Sequence, residues 1–248
     1  MEMQQIFGKR LEQLLLEKGI TSVARTFPEP EEIVGYHAGY DFLYTAAKQN
    51  QIIDEDFIKK LHSFVLSGKE SAGQYRTIQN YVGSLTKVVY VPPTPSQIED
   101  KMRNYVSMLQ SDLAKNQALF KKEKIAWENI FNTLALHHIE FEKIHPFIDG
   151  NGRTGRLLLT YELISMGLLP IDIQAEERVR YDAAFKHFDT KKERSTRPES
   201  KTEKMANLLA ECELKSMTIW NKIFIEYQNT QKQNNVSEAK PPRRKFKL

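Results

Sequence analysis

Between Ile125 and Glu142 the apolar residues Trp127, Ile130, Phe131, Leu134 and Phe141, with His138 among them, recur at three- and four-residue intervals, and Pro146 follows a few residues later. That spacing puts one apolar stripe on a helix, and the proline forbids the helix to continue, so a buried helix must end where a new local structure begins. The same period recurs along the chain. Ile6, Leu11, Leu14 and Leu15 predict a short first helix stopped near Gly19, and Thr21 to Pro30 reads as a loop. Ile33, Tyr36, Tyr40, Leu43 and Tyr44 predict a helix over Glu31 to Gln49, and Asp54 reads as the N-cap of another over Asp56 to Leu66. Further helices are predicted from Ser96 to about Leu113, from Asn151 to Met166, from Glu176 to Phe188 and from Lys204 to Gln228, with Lys191 to Lys204 as a polar linker.

One stretch departs from the helical period. The β-branched and aromatic run from Val88 to Val91, closed by Pro92-Pro93, predicts a small hairpin in which Tyr81-Val82 pairs with Val88 to Val91 across Gly83 to Lys87. No internal repeat is present, and 248 residues suffice for one sizeable core. The expectation is an all-α bundle carrying a two-stranded flap: residues 1–30 as an N-terminal helix and loop, 31–190 as the core, 191–235 as linker and last helix, and 236–248 as a disordered basic tail.

Charge narrows the function classes. Lys240, Arg243, Arg244, Lys245 and Lys247 account for more than the whole net charge of +4, leaving the first 239 residues at −1. Phosphate-backbone binding needs a cationic face, so a nucleic-acid partner is not expected of the body. The lone Cys212 cannot make an internal disulfide, and no apolar run approaches a bilayer crossing, so the expected setting is cytoplasmic, with no membrane partner.

Chemistry concentrates in His145-Pro146-Phe147-Ile148-Asp149-Gly150-Asn151-Gly152-Arg153-Thr154-Gly155-Arg156. Gly150 and Gly152 around Asn151 permit positive φ values that turn N–H groups to one point where a helix begins, an anion cradle at a positive dipole end. Arg153 and Arg156, three apart, add forked donors for phosphate oxygens. Asp149 offers the hard oxygen that magnesium needs beside a substrate phosphate. His145 is the group with a near-neutral pKa, suited to take a proton from an attacking hydroxyl. Phe147 reads as the buried anchor of the loop. His137, His138 and His145 lack the i, i+4 spacing of a zinc helix, so a transition-metal site is not expected.

These residues resemble the Fic domain, whose motif HPFx[D/E]GNGRxxR has all nine fixed positions here, from His145 to Arg156. The resemblance extends from about residue 32 to 190 and includes Gly73-Gln74-Tyr75-Arg76 and Pro92-Pro93. It implies transfer of the AMP part of ATP to a Tyr, Ser or Thr hydroxyl of a target protein. His145 would be the general base, Asp149 the magnesium ligand, and Gly150, Asn151, Gly152, Arg153, Thr154, Gly155 and Arg156 the phosphate cradle. Tyr181 would line the nucleobase pocket, where Asp182 stands in place of a second tyrosine. The flap residues Val82, Gly83, Ser84, Leu85 and Thr86 would align the target by strand-like pairing. Transfer of another nucleotide-derived phosphate group, removal of AMP, or binding without turnover on the same scaffold are the alternatives.

The family's inhibitory pattern [S/T]xxxE[G/N], where it precedes the core, would fall at Met1 to Met3, making Glu2 its candidate glutamate without the preceding residues. Either a truncation or regulation from elsewhere, by a partner or a second copy, is expected. Ser195 to Ser200 has the Ser-to-Glu spacing but lacks Gly or Asn after Glu199, and Pro198 interrupts it.

Overall fold

The computed structural model describes residues 30–84, 87–121, 125–190 and 199–237. The expected helix over Ile6 to Leu15, the loop as far as Glu29, Glu2, Leu85, Thr86, Ser195 and the basic tail from 238 lie outside the described residues. Seven α-helices and one hairpin are described: α1 Pro30–Lys48, α2 Glu55–Val65, β1 Val82–Ser84, β2 Lys87–Tyr90, α3 Ile98–Lys121, α4 Trp127–Ile144, α5 Asn151–Ser165, α6 Arg178–Thr190 and α7 Glu199–Ser237. The all-α expectation with a small hairpin holds.

Local chemistry sets most of the ends. Pro30 opens α1, where its missing N–H has no intrahelical acceptor to lose. Asp54 caps α2, accepting from the Phe57 N–H at 2.7 Å. Thr94 and Gln97 form a reciprocal capping box around the short 3-10 turn Pro95–Gln97 that leads into α3.

Three elements differ most from the expectations. α3 runs two turns past Leu113 because Leu113 and Phe120 pack on the second core cluster and Phe120 meets Trp127 edge-on at 5.7 Å. The polar stretch before Lys204 is helical from Glu199, held where the Thr202 hydroxyl donates to Asn132 Oδ1 at 2.6 Å, and α7 continues to Ser237, into the expected tail. In the hairpin, pairing continues through Gly83 and Ser84, which face Val88 and Lys87. An irregularity between Val82 and Gly83 absorbs the shift that brings Val82 opposite Tyr90.

Two apolar clusters share α5. Leu43, Phe57, Ile58, Leu61, Met102, Leu109, Phe141, Leu157 and Tyr161 join α1, α2, α3, α4 and α5, with Phe147 among them. Ile130, Leu134, Ile139, Leu159, Leu163, Met205, Leu208, Leu209 and Cys212 join α4, α5 and α7. Burial on both sides makes α4 and α5 the rigid centre, and the loop between them inherits that rigidity. A buried ion pair braces it further: His137 Nδ1 lies 2.6 Å from Glu162 Oε2, and Asp112 approaches the other ring nitrogen at 3.4 Å. Although burial opposes the charge, the two carboxylates hold the His137 pKa above its ordinary value. No described helix is long and apolar enough to cross a membrane.

Candidate active site

The loop 145–150 is built from its two helix ends. α4 terminates with His145 in the left-handed region, φ 51°, ψ 57°, its N–H still donating to the Phe141 carbonyl at 3.0 Å. A non-glycine residue holds that conformation only where its surroundings impose it. Here Arg76 imposes it. Its buried guanidinium donates to the His145 carbonyl at 2.9 Å, to Ile78 O at 3.0 Å and to Pro93 O at 2.5 Å, while its backbone N–H donates to Pro146 O at 2.9 Å. The Asn80 amide adds a bond to Ile148 O at 3.0 Å.

Phe147 is fully buried, and the side chain of Asn151 closes around its backbone: Oδ1 accepts the Phe147 N–H at 2.9 Å and Nδ2 donates to its carbonyl at 2.8 Å. His62, from α2, stacks on the Phe147 ring at 3.7 Å. Its Nδ1 accepts the Gly73 N–H at 2.9 Å, which obliges Nε2 to carry the proton that it donates to Asp149 O at 3.0 Å. Burial lowers the His62 pKa and keeps the ring in this neutral form.

Gly150, with φ 75°, is the N-cap from which α5 starts. A Cβ there would stand 3.0 Å from Val65 Cγ1 and 3.3 Å from His62 Nε2, so glycine is required by conformation and by space. Gly152, expected to share a positive φ, instead lies in the first helical turn, and the positive-φ glycines do not include it. The N–H groups expected to form a cradle therefore belong to a helix N-terminus rather than to a loop nest. Thr154, fully buried, is the first residue of α5 whose N–H finds an intrahelical acceptor, Gly150 O at 2.9 Å, and its hydroxyl bonds the same carbonyl. Gly155 sits where α5 touches α4; a Cβ would lie 2.4 Å from Glu142 Oε1.

Around that N-terminus stand the charged groups. The Asp149 carboxylate is largely exposed, accepts the Gly150 N–H at 2.6 Å and lies 3.8 Å from Arg153. Arg153 also donates to Val65 O at 3.3 Å. The Arg156 guanidinium stands near the Tyr36 hydroxyl of α1, whose pKa burial raises against the opposing pull of Arg156 and Arg153. Glu142, one turn before His145, is half-buried with its Oε1 atom buried and unpartnered, and desolvation raises its pKa to about 7 despite Arg156 nearby.

His145 is oriented rather than merely present. A carbonyl can only accept, so the 3.2 Å contact between His145 Nδ1 and Glu142 O puts the proton on Nδ1 and leaves Nε2 as the basic nitrogen. Burial lowers its pKa, with a smaller pull from the Arg76 cation, and the bond to the Glu142 carbonyl and then Asp149 oppose them.

Tyr181 lies on α6 with its hydroxyl 2.7 Å from His138 Nε2 and its ring edge-on to Phe185 at 5.1 Å. The three histidines thus diverge: His137 to Glu162, His138 to Tyr181, His145 to the loop. Among the described residues no group of three His, Cys, Asp or Glu could hold a metal. The flap strands stand beside the loop through Tyr90, whose hydroxyl donates to Lys143 O at 3.1 Å.

Sequence reasoning did not assign roles to His62, Asn80, Tyr36 or Glu142, and it noted Arg76 without one. Only Arg76 carried a signal, within the Gly73 to Arg76 stretch; the others act through backbone carbonyls or as apparent members of an apolar helix face.

Residues 52–163 match the model of the Fic/DOC family. The chain is 29% identical over 175 residues to protein adenylyltransferase fic-1 of Caenorhabditis elegans and 32% identical over 170 residues to protein adenylyltransferase Fic of Aedes aegypti. Those matches take 69% and 67% of this chain but 31% of each relative, so the chain spans about a third of their length. A Fic domain containing signaling protein from Bacteroides thetaiotaomicron superposes with a TM-score of 0.63 at 25% identity, covering 83% of this chain and 76% of that one. Motif, helix arrangement and these likenesses agree: residues 52–163 carry a Fic domain of the Fic/DOC family.

Proposed function

We propose that the chain is a protein adenylyltransferase, moving AMP from ATP to a Tyr, Ser or Thr hydroxyl of a target protein. The observation that carries this is the tautomer of His145. With Nδ1 donating to Glu142 O, Nε2 is the nitrogen available to accept a proton, and its lowered pKa keeps it neutral at pH 7. The target oxygen attacks the α-phosphorus, the bond from that phosphorus to the bridging oxygen breaks, pyrophosphate leaves, and the hydroxyl proton passes to His145 Nε2. The first turn of α5 faces the phosphates with its dipole and N–H groups, and Arg153 and Arg156 stand beside it to take the outer charges.

The exposed Asp149 carboxylate fits magnesium, which binds ATP sites through one or two carboxylates and the substrate's own phosphates rather than through a protein cage. Bound there, the ion would neutralise phosphate charge. Asn151 serves the cradle through the loop shape it fixes, and the half-buried Tyr181 would line the space for a base. Val82 to Ser84, with Leu85 and Thr86 beyond, offer backbone for a target segment to pair with. Catalysis belongs on this reading to residues 31–190, in a cytoplasmic setting that supplies ATP and magnesium, with segments outside them, Glu2 among these, left for regulation.

The test is incubation of the whole chain with α-labelled ATP, magnesium and a cell lysate, beside His145→Ala. Covalent label lost at least about 100-fold in the variant, with ATP binding kept, is the expected result. Label that persists in the variant, or ATP binding lost together with it, overturns the role of His145. The wild-type rate should rise with pH through a midpoint below 6.5 and level off above it, as a base with a lowered pKa requires.

A further inference from the structure

The strongest feature that the active site leaves unused is the outer half of α7. Its inner half packs on the body as far as Ser216, whose hydroxyl donates to Pro170 O at 3.0 Å. From Met217 to Asn229 every residue is exposed, yet this stretch holds Met217, Ile219, Trp220, Ile223, Phe224, Ile225 and Tyr227. An isolated helix of this length is marginal in water, and one that is both apolar and unsupported is a surface made to be covered.

The arrangement is ordered. At helical pitch, Ile219, Ile223, Tyr227, Trp220, Phe224 and Met217 fall within an arc of about 160°. Lys222 and Glu226 lie together along one edge of that arc, and Asn221 and Gln228 along the other. Six half-exposed side chains at roughly 100 Å² each give about 600 Å² per protomer before flanking stems are counted, close to the ~800 Å² per partner of a stable interface.

We propose that this stripe pairs with the same stripe of a second copy of the chain, antiparallel about a two-fold axis passing near Phe224. The charges select both occupant and direction. In an antiparallel pair each edge meets its own counterpart, so with Phe224 at the axis Lys222 faces the partner's Glu226 and Glu226 faces the partner's Lys222. A parallel pair would set that charged edge against the uncharged amides of Asn221 and Gln228. A lipid surface fits less well: interfacial helices carry a lysine- and arginine-rich polar face, whereas Met217 to Asn229 has one lysine and one glutamate.

The test is sedimentation velocity of the full chain, roughly 1 to 100 µM, for the wild type, Lys222→Glu, Glu226→Lys and an equimolar mixture of the two variants. Both positions are exposed, so the variants fold, and circular dichroism verifies it. The wild type should dimerise. Each variant alone should dissociate at least about tenfold more readily, because like charges then face each other twice. The mixture should regain the wild-type dimer, since one variant supplies two glutamates and the other two lysines. Pairing of Lys222 with Glu226 within one helix could not be rescued by mixing, so failure of the mixture overturns the antiparallel interface. A monomeric wild type overturns the second copy as occupant; if that monomer floats with anionic phosphatidylserine vesicles, the stripe belongs to a membrane surface.

Discussion

The imidazole of His62 lies flat against the ring of Phe147, the two planes 2° from parallel and 3.7 Å apart at their centres. Nothing in the proposed chemistry touches His62, yet it joins α2 to the loop at two points, the Phe147 ring and the Asp149 carbonyl. Its ring nitrogens are spoken for in one sense only, acceptor at Nδ1 and donor at Nε2, and protonation of Nδ1 would set a donor against the Gly73 N–H.

That fixes a pH prediction. A histidine whose pKa is lowered by folding contributes stability that is present above the unfolded value of 6.5 and is lost as pH falls through the folded value. The wild type should lose stability between pH 7 and pH 5 in urea titrations, and His62→Gln should flatten that decline while lowering stability at pH 7.5 by about 2–4 kcal/mol through lost stacking and mismatched bonds. An unchanged slope in the variant would remove His62 as its source.

Arg76→Lys keeps the charge and loses the fork. An ammonium on a flexible stem cannot hold the carbonyls of Ile78, Pro93 and His145 together, so at least one buried acceptor is stranded, at a cost of about 1–3 kcal/mol. The left-handed turn at His145 relaxes with it. The expected outcome is a loss of kcat of about tenfold or more with KM for ATP within a few-fold, measured by labelled-AMP transfer; a defect confined to KM would contradict it.

Glu142 is the counterpart in acid form. Its pKa, raised to about 7 by desolvation, means that stability is complete below the unfolded value of 4.5 and falls as pH rises through about 7, where the buried carboxyl must ionise. Glu142→Gln removes that penalty. Thermal or urea unfolding should therefore show the variant more stable than wild type by about 2–3 kcal/mol at pH 8 and equal to it near pH 4. Equal stability at pH 8 would show that Arg156 compensates the charge.

Tyr36 meets the nucleotide side through Arg156. Tyr36→Phe leaves the ring packed and removes the hydroxyl that stands near the guanidinium, so KM for ATP should rise about threefold to tenfold with kcat within about twofold, read from initial rates against ATP concentration. Unchanged KM would place Arg156 under other control.

What could be read beforehand followed from local rules. The stripe of α4, the stop before Pro146, the cap at Asp54 and the start of α5 all depend on neighbours a few residues away, and the pattern His145 to Arg156 is contiguous. What could not be read depends on long-range bonds to backbone atoms. His62 reaches Asp149 across 87 residues and Arg76 reaches His145 across 69, and a carbonyl acceptor leaves no trace in residue type. Gly152 misled for a related reason: flexibility suggested a turn, whereas the helix had already begun. The polar run before Lys204 misled because charged residues suit an exposed helix face as well as they suit coil.

The guanidinium of Arg76 has a consequence for fidelity of alignment. It ties the approach to the hairpin at Ile78, the exit from it at Pro93 and the backbone of His145 to one planar group. A peptide that laid itself along β1 would thereby be measured against the basic nitrogen through a few stiff bonds, with no hinge between ruler and reagent. Selection of the modified side chain then becomes a matter of registry, in steps of about 3.3 Å per residue along the strand. A target shifted by one residue would present its hydroxyl to the wrong face.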